Sequence, residues 1–330
     1  MIPSPRTSHS RLAFLLQKLT SCATPLLITA LTVLLPQMAA AGAWTLGKGH
    51  VWSKITYMSL STNEQYDNDG NVGEIPARYK SQQVYFDVYY GLNDRIDIGV
   101  KIPYISNEFV DVSPEHPFYG AADKKDSGIG DIRGVAKINL VNSADLVGTL
   151  KLEFKAPMGE YREVPEALSI TGGQWDFDVV AQLGRSFWPV PVYGNVDLGY
   201  RLRGEYADSN PSDAGGVDRT YTPGAEFVFN AEAGYSPMDK LLVALKYESI
   251  IGAEYDTINN PPAGSQVETL NQSVSYLAPT VLVGLHPNVS LEAQARMTVN
   301  GNRYFAGPTY GVGLSFTAAL IEQLVRQGTP

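Results

Sequence analysis

The stretch from Val84 to Ile105, VYFDVYYGLNDRIDIGVKIPYI, decides the fold. Val84, Phe86, Val88, Ile96, Ile98, Val100 and Ile102 are spaced by two, and Asp87, Asp97 and Lys101 occupy the opposite parity. Period-two alternation is the pattern of a β-strand with two unlike faces. The residues GLNDR between the runs read as a hairpin turn. In a soluble sheet the charges face water and the aliphatics a core. In a transmembrane barrel the aliphatics face lipid and the charges a wet lumen. The stretch by itself fits both.

The first residues bear on the choice. Arg6, Arg11 and Lys18 precede the apolar run ATPLLITALTVLLP, which ends in QMAAAGAW. A basic start, an apolar middle and small residues at Ala39 and Ala41 describe a secretory signal peptide over 1–41, cut after Ala41. A membrane anchor is the alternative, but Pro25 and Pro36 interrupt the run. It also falls short of the roughly 20 apolar residues that a spanning helix needs. Cys22, the single cysteine, leaves with the signal, so the mature chain forms no internal disulfide. Three of the 25 Lys and Arg residues leave as well while all 34 acids stay, taking the net charge from −9 to −12. An acidic chain without a basic patch argues against nucleic acid as a partner. No later segment approaches a transmembrane helix. Such an exported chain fits a periplasmic protein or an outer-membrane barrel.

Alternation and turn residues give twelve candidate strands, at about 50–61, 80–90, 96–106, 128–141, 146–156, 175–187, 192–205, 224–235, 240–253, 269–285, 289–299 and 304–317. The connections GLNDR, NSA, WPVP, PMD and HPN are short. Those near 62–79, 107–127, 157–174, 206–222 and 254–268 are long and rich in Gly, Pro, Asn, Asp and Ser. Short and long alternate, apart from a tight NGNR at 300–303. Outer-membrane barrels have short periplasmic turns, long extracellular loops and an even strand number. A lipocalin-like barrel or β-sandwich would be shorter and has no need of this asymmetry. The proposed outer face carries Val196, Leu198, Tyr200 and Leu202, then Phe227, Phe229, Ala231, Ala233 and Tyr235. Aromatics gather near strand ends, as at Tyr89, Tyr90, Tyr104, Phe187, Trp188 and Tyr247, where membrane interfaces would lie. The expected fold is all-β: an antiparallel transmembrane β-barrel over 42–317, with a C-terminal tail over 318–330.

The segments AWTLGKGHVW, GIGDIRGVAKINL, FKAPMGEY followed by TGGQWDFDV, and VSLEAQARMTVNGNRYFAGPTYGVGLSF resemble the outer-membrane transporter family named for the meta-pathway of phenol degradation. The resemblance spans nearly the whole mature chain through diffuse glycine, proline and aromatic positions. It implies an outer-membrane barrel in a Gram-negative bacterium, associated with uptake of aromatic or other hydrophobic compounds. Lipid, lipopolysaccharide, the outer-membrane assembly machinery and a small-molecule solute are the implied partners. No binding residue carries over. Such barrels commonly end on an aromatic residue, whereas here TAALIEQLVRQGTP follows Phe316.

No enzymatic activity, cofactor or metal is expected. His50, His116 and His286 fall at a strand start, in a long loop and in a turn, none beside a Ser and a carboxylate on one strand face. Asp176 and Asp178 could do acid–base work, but their parity puts them on a lumen face where charges belong anyway. The loop DNDGN at 67–71 resembles the start of a calcium loop without its full spacing, and Asp-Gly is an ordinary turn former.

Twelve strands lie between small side-chain-filled barrels and wide aqueous ones. The function expected is therefore a narrow passive channel for small molecules, with a structural or adhesive barrel as the alternative. The wall charges read as opposite-charge pairs, each within one hairpin. Turn centres set Asp178 opposite Arg201, Asp176 opposite Arg203, Asp131 opposite Lys155, Arg133 opposite Glu153, Glu232 opposite Lys246 and Asp87 opposite Lys101, with Asp197 beside them.

Overall fold

The computed structural model describes residues 42–111, 124–143, 146–159, 170–208, 219–253, 257–258 and 272–319. The expected signal peptide with Cys22, His116, much of four long connections and the tail after Ala319 lie outside these residues.

Twelve antiparallel strands cross the barrel wall. They are β1 (His50–Tyr66), β2 (Val72–Asn93), β3 (Ile96–Asp111), β4 (in two pieces, Lys124–Ile129 and Ile132–Asn142), β5 (Val147–Ala156) and β6 (Asp176–Ser186). Then come β7 (Val192–Arg203), β8 (Glu226–Met238), β9 (Leu241–Gly252), β10 (Ser273–His286), β11 (Val289–Asn302) and β12 (Pro308–Ala319). Each pairs with its chain neighbours, and β1 also pairs with β12, with Val51 facing both Tyr90 and Ala318. Closure leaves no sheet edge, which is what permits strands to cross a bilayer.

The alternation of the opening hairpin now has its two faces. Val84, Phe86 and Ile98 point outward at 38–44% exposure, while Asp97 points inward at 1%. The outer belt continues through Val196, Leu198, Leu202, Phe227 and Tyr235. An apolar outside around a charged inside inverts a soluble core, so this barrel is solvated by lipid.

Three departures from the sequence reading have local causes. First, 62–79 is not a long loop: β1 and β2 run on to a connection at 67–71, with Tyr66 facing Val72. Gly73 and Pro76 make the region look broken, but Pro76 sits in a bulge where the ladder steps from Thr62–Tyr79 to Glu64–Glu74. Second, part of the 206–222 connection is ordered as strands. Tyr206–Asp208, Arg219–Thr222 and Thr257–Ile258 form a small separate sheet. Third, the β4–β5 register is two residues off the expected one. Arg133 faces Lys155 and Val135 faces Glu153, because the hairpin closes at Asn142–Val147 and bulges between Asn139 and Val141.

The DNDGN connection is occupied by its own backbone. The amides of Asn71 and Asp69 each donate to Asp67 at 2.8 Å. The Asn71 amide leads in holding the Asp67 carboxyl below the usual carboxylate range. Among the described residues no group of three acids, histidines or cysteines is set to hold a metal.

Candidate functional site

The inward face of β3–β8 carries a continuous arc of ion pairs. Glu153 on β5 accepts from Lys101 at 2.9 Å and Arg133 at 2.8 Å, with Lys151 at 3.6 Å. Arg133 lies 3.7 Å from Asp178 on β6, and Arg201 on β7 clamps Asp178 with two bonds of 2.8 and 2.9 Å. Arg201 also donates to Glu226 at 2.9 Å, which Arg203 approaches at 3.2 Å. On the extracellular side Lys155 bridges Asp176 at 2.8 Å and Asp131 at 3.2 Å. The acids sit deep: Glu153 and Asp178 are 5% and 4% exposed, against 29% and 25% for Lys101 and Arg133. Here the carboxylates form the wall and the tips of Lys101 and Arg133 reach the space inside, whereas Lys155 is buried with the acids it bridges.

Four of the six expected facing pairs are present: Asp178 faces Arg201, Asp176 faces Arg203, Glu232 faces Lys246 and Asp87 faces Lys101. The bonding differs from isolated hairpin pairs, however. The Lys101 ammonium goes to Glu153, Arg203 goes to Glu226, and Asp176 is held by Lys155. Asp131–Lys155 and Arg133–Glu153 bond diagonally despite the shifted register. Long cationic side chains reach the neighbouring row, so the pairing spreads across strands. Asp197 stands apart among amides, accepting from Asn195 at 2.8 Å, Gln182 at 3.1 Å and Asn230 at 3.4 Å. Glu232 lies 3.7 Å from Lys246 and also accepts from the Tyr193 hydroxyl.

The other part of the inner wall is aromatic. Trp52 and Tyr89 face each other at 5.7 Å across β1 and β2, and Tyr79 stacks on Phe305 at 3.9 Å. Arg296 on β11 lies 3.5 Å above the Tyr276 ring while bonding Glu248 at 2.7 Å. Tyr276 meets Tyr304 edge-on at 6.3 Å.

Two arrangements escaped the sequence reading. Residues Gly42–Gly47 turn into the periplasmic end of the barrel. There Asp97 accepts the Leu46 amide at 2.9 Å, Asn195 accepts the Ala43 amide at 2.8 Å, and Lys137 donates to the Gly42 and Trp44 carbonyls. Trp44 packs against Tyr193 at 5.8 Å and fills the space beside Gly184, where a Cβ would lie 2.8 Å from its ring. Asp97 carried the signal, as an inward acid with no partner at hairpin spacing. The second is Lys54–Glu292 at 2.8 Å, which joins β1 to β11 across β12. Gly313 on β12 makes room for it, since a Cβ there would lie 2.7 Å from Lys54 Cε.

A family model described as putative MetA-pathway of phenol degradation matches residues 62–316. Among solved structures, the COG4313 outer membrane channel from Pseudomonas putida F1 aligns with a TM-score of 0.67 at 14% identity, covering 83% of this chain and 97% of that one. The beta domain of the Bordetella autotransporter BrkA aligns at 0.48 with 11% identity, covering 82% and 100%. The Ralstonia pickettii toluene transporter TbuX aligns at 0.42 with 9% identity, covering 86% and 93%. The first likeness shows the fold, an outer-membrane β-barrel of the Gram-negative kind. No curated protein matches the sequence.

Proposed function

The chain belongs to the family described as putative MetA-pathway of phenol degradation, and from this premise we propose that it is a passive outer-membrane channel for small molecules, with aromatic or other hydrophobic compounds as its solutes. The observation that carries the reading is accessibility inside the wall. Lys101, Arg133, Arg296 and Glu248 point inward yet keep 25–35% of their side chains exposed. Charged groups reach that exposure within a barrel only beside a solvent-sized space. The wall residues Asp87, Lys101, Asp131, Arg133, Glu153, Lys155, Asp176, Asp178, Asp197, Arg201, Arg203, Glu232 and Lys246 line the path in this reading, and none performs chemistry on the solute.

The chemistry of the wall suits uncharged or weakly charged organic solutes. The arc carries both signs in contact, so its far field is small. The aromatic surface offers ring contacts worth about 0.5–1.5 kcal/mol each beyond burial. Residues 1–41 serve as the export signal, and the outer-membrane assembly machinery inserts the barrel. A structural barrel without flux is the second reading. The packing of Gly42–Gly47 across the periplasmic end favours it.

Planar-bilayer conductance and liposome swelling with graded solutes separate the two. Unitary currents and swelling with small aromatic solutes support the channel. A sealed bilayer without swelling, from protein that shows heat-modifiable gel mobility, supports the structural barrel.

A further inference from the structure

The outer wall of β1–β4 rises beyond the apolar belt, and its side chains change in ordered rows. Tyr57, Val84, Tyr104 and Ile129 face one another across the four strands, all 38–52% exposed. Two tyrosines in one outward row mark the level of the membrane interface. The next row toward the extracellular side is Ser59, Gln82, Ser106 and Ser127, polar and uncharged. The row after it is Ser61, Lys80, Glu108 and Lys125, and Arg78 stands on β2 beyond that. Lys80 reaches Glu108 at 3.3 Å, which balances one cation. Arg78 and Lys125 are exposed and have no acidic partner among the described residues.

Elsewhere the belt stays apolar to the ends of the strands. Phe154 stacks on Trp175 at 4.9 Å, and Phe177, Leu202, Phe227 and Ile251 are 38–55% exposed. The polar extension is therefore local to one flank.

Four residues separate Val84 from Lys80, about 13 Å of strand at ~3.4 Å per residue. With the strand tilt of such barrels, about 40°, the rise is about 10 Å. The polar layer of one leaflet is about 5–8 Å thick beyond the hydrocarbon. Lys80 and Lys125 thus stand at the outer limit of the headgroups, and Arg78, two residues farther along β2, about 5 Å beyond them at the same rise and tilt, so that none of the three lies in the acyl region.

We propose that Arg78, Lys80 and Lys125 form a binding ledge for the phosphate groups of an anionic glycolipid of the outer leaflet, lipopolysaccharide. Arginine and lysine are the side chains that hold phosphate oxygens through charge-assisted hydrogen bonds. The uncharged serine–glutamine row below suits the sugar hydroxyls next to those phosphates. The ledge rests on the orientation used above, with long connections outside, and does not depend on solute transport.

The test compares glycolipid retained by protein purified from outer membranes, counted by native mass spectrometry. Wild type is set against the triple variant Arg78→Gln, Lys80→Gln, Lys125→Gln, with folding checked by heat-modifiable mobility. The expected result is at least a tenfold loss of retained lipopolysaccharide in the triple variant. Added bisphosphorylated lipid A should restore binding to wild type only, and dephosphorylated lipid A should bind both equally weakly. Phosphatidylglycerol vesicles serve as the other phosphate source and should not compete. Glu108→Gln, which frees Lys80, should raise retention and keeps the test open if the triple variant misfolds. Unchanged retention in the folded triple variant, or full competition by phosphatidylglycerol, would overturn the proposal.

Discussion

Two parts of one inner wall solve the same problem differently. On β3–β8 every inward carboxylate of the arc is met by a cation from an adjacent strand or the next one, and Glu153 and Asp178 are more deeply set than the Lys101 and Arg133 that approach them. On β1–β2 and β10–β11 the wall is filled by rings, with two ion pairs among the described residues, Lys54–Glu292 and Arg296–Glu248, the second laid over Tyr276. The first region is bound by directional, mutually dependent contacts, and the second by contact area. The difference teaches where the molecule should be brittle. Removing one member of the arc strands two buried charges, while removing one ring leaves its neighbours in place.

The sharpest way to break the comparison is Arg201→Glu. It sets a third acid between Asp178 and Glu226, and losing one partner of such a site costs about 3–5 kcal/mol. Urea-dependent refolding into vesicles should show that loss, and reversal potentials should move toward cation preference. Adding Asp178→Arg should recover only part of both, because Glu226 loses one of its two cationic partners and keeps only Arg203. Full recovery would mean that the arc is a set of independent pairs after all.

Val196→Arg tests the face and not the network. Val196 is outward and 40% exposed, and an arginine near the bilayer midplane costs about 2–4 kcal/mol in such barrels. The same refolding assay reads it, with no expected change in selectivity. A selectivity change without a stability loss would put this residue inside.

Asp97→Asn should cost less, about 1–3 kcal/mol, because it weakens the charge-assisted bonds from the Leu46 amide while keeping the shape. Loosening of Gly42–Gly47 should raise single-channel conductance and expose Trp44 to a collisional fluorescence quencher. Unchanged conductance together with an exposed Trp44 would show that the segment does not narrow the path.

Tyr276→Leu should have the smallest effect on stability, about 0.5–2 kcal/mol, from the lost contact with Arg296. Its clearer effect should be on flux: swelling with small aromatic solutes should fall relative to sugars of similar size. Equal changes for both solute classes would leave the aromatic region a purely mechanical part of the wall.

Much of this was legible in the sequence. Period-two spacing placed the twelve strands, and short connections such as WPVP and PMD fixed the registers that set Asp178 against Arg201 and Glu232 against Lys246. The β4–β5 hairpin was not legible, because a bulge between Asn139 and Val141 leaves no compositional mark. The β1–β2 extension was hidden by Gly73 and Pro76, residues that usually end strands and here sit at or near a break in the ladder. Contacts that pass over a strand, as Lys54–Glu292 does, cannot be read from hairpin spacing at all, since they exist only once the wall is closed.

That bridge has a consequence for how the molecule comes into being. Lys54 and Glu292 are 238 positions apart, and they meet at the join between the first and last strands. Every other strand pair in the wall can form as the chain emerges, one hairpin after another, but this join must wait for the C-terminal strand. The entropy of closing so long a loop grows only with the logarithm of its length, so distance along the chain is not the main hazard. Until the join is made, β1 and β12 each present a full row of unpaired amides and carbonyls, and such rows pair readily with other chains. A chain cut short of Pro308 would therefore be an open ribbon with two adhesive margins, not a smaller version of the same vessel.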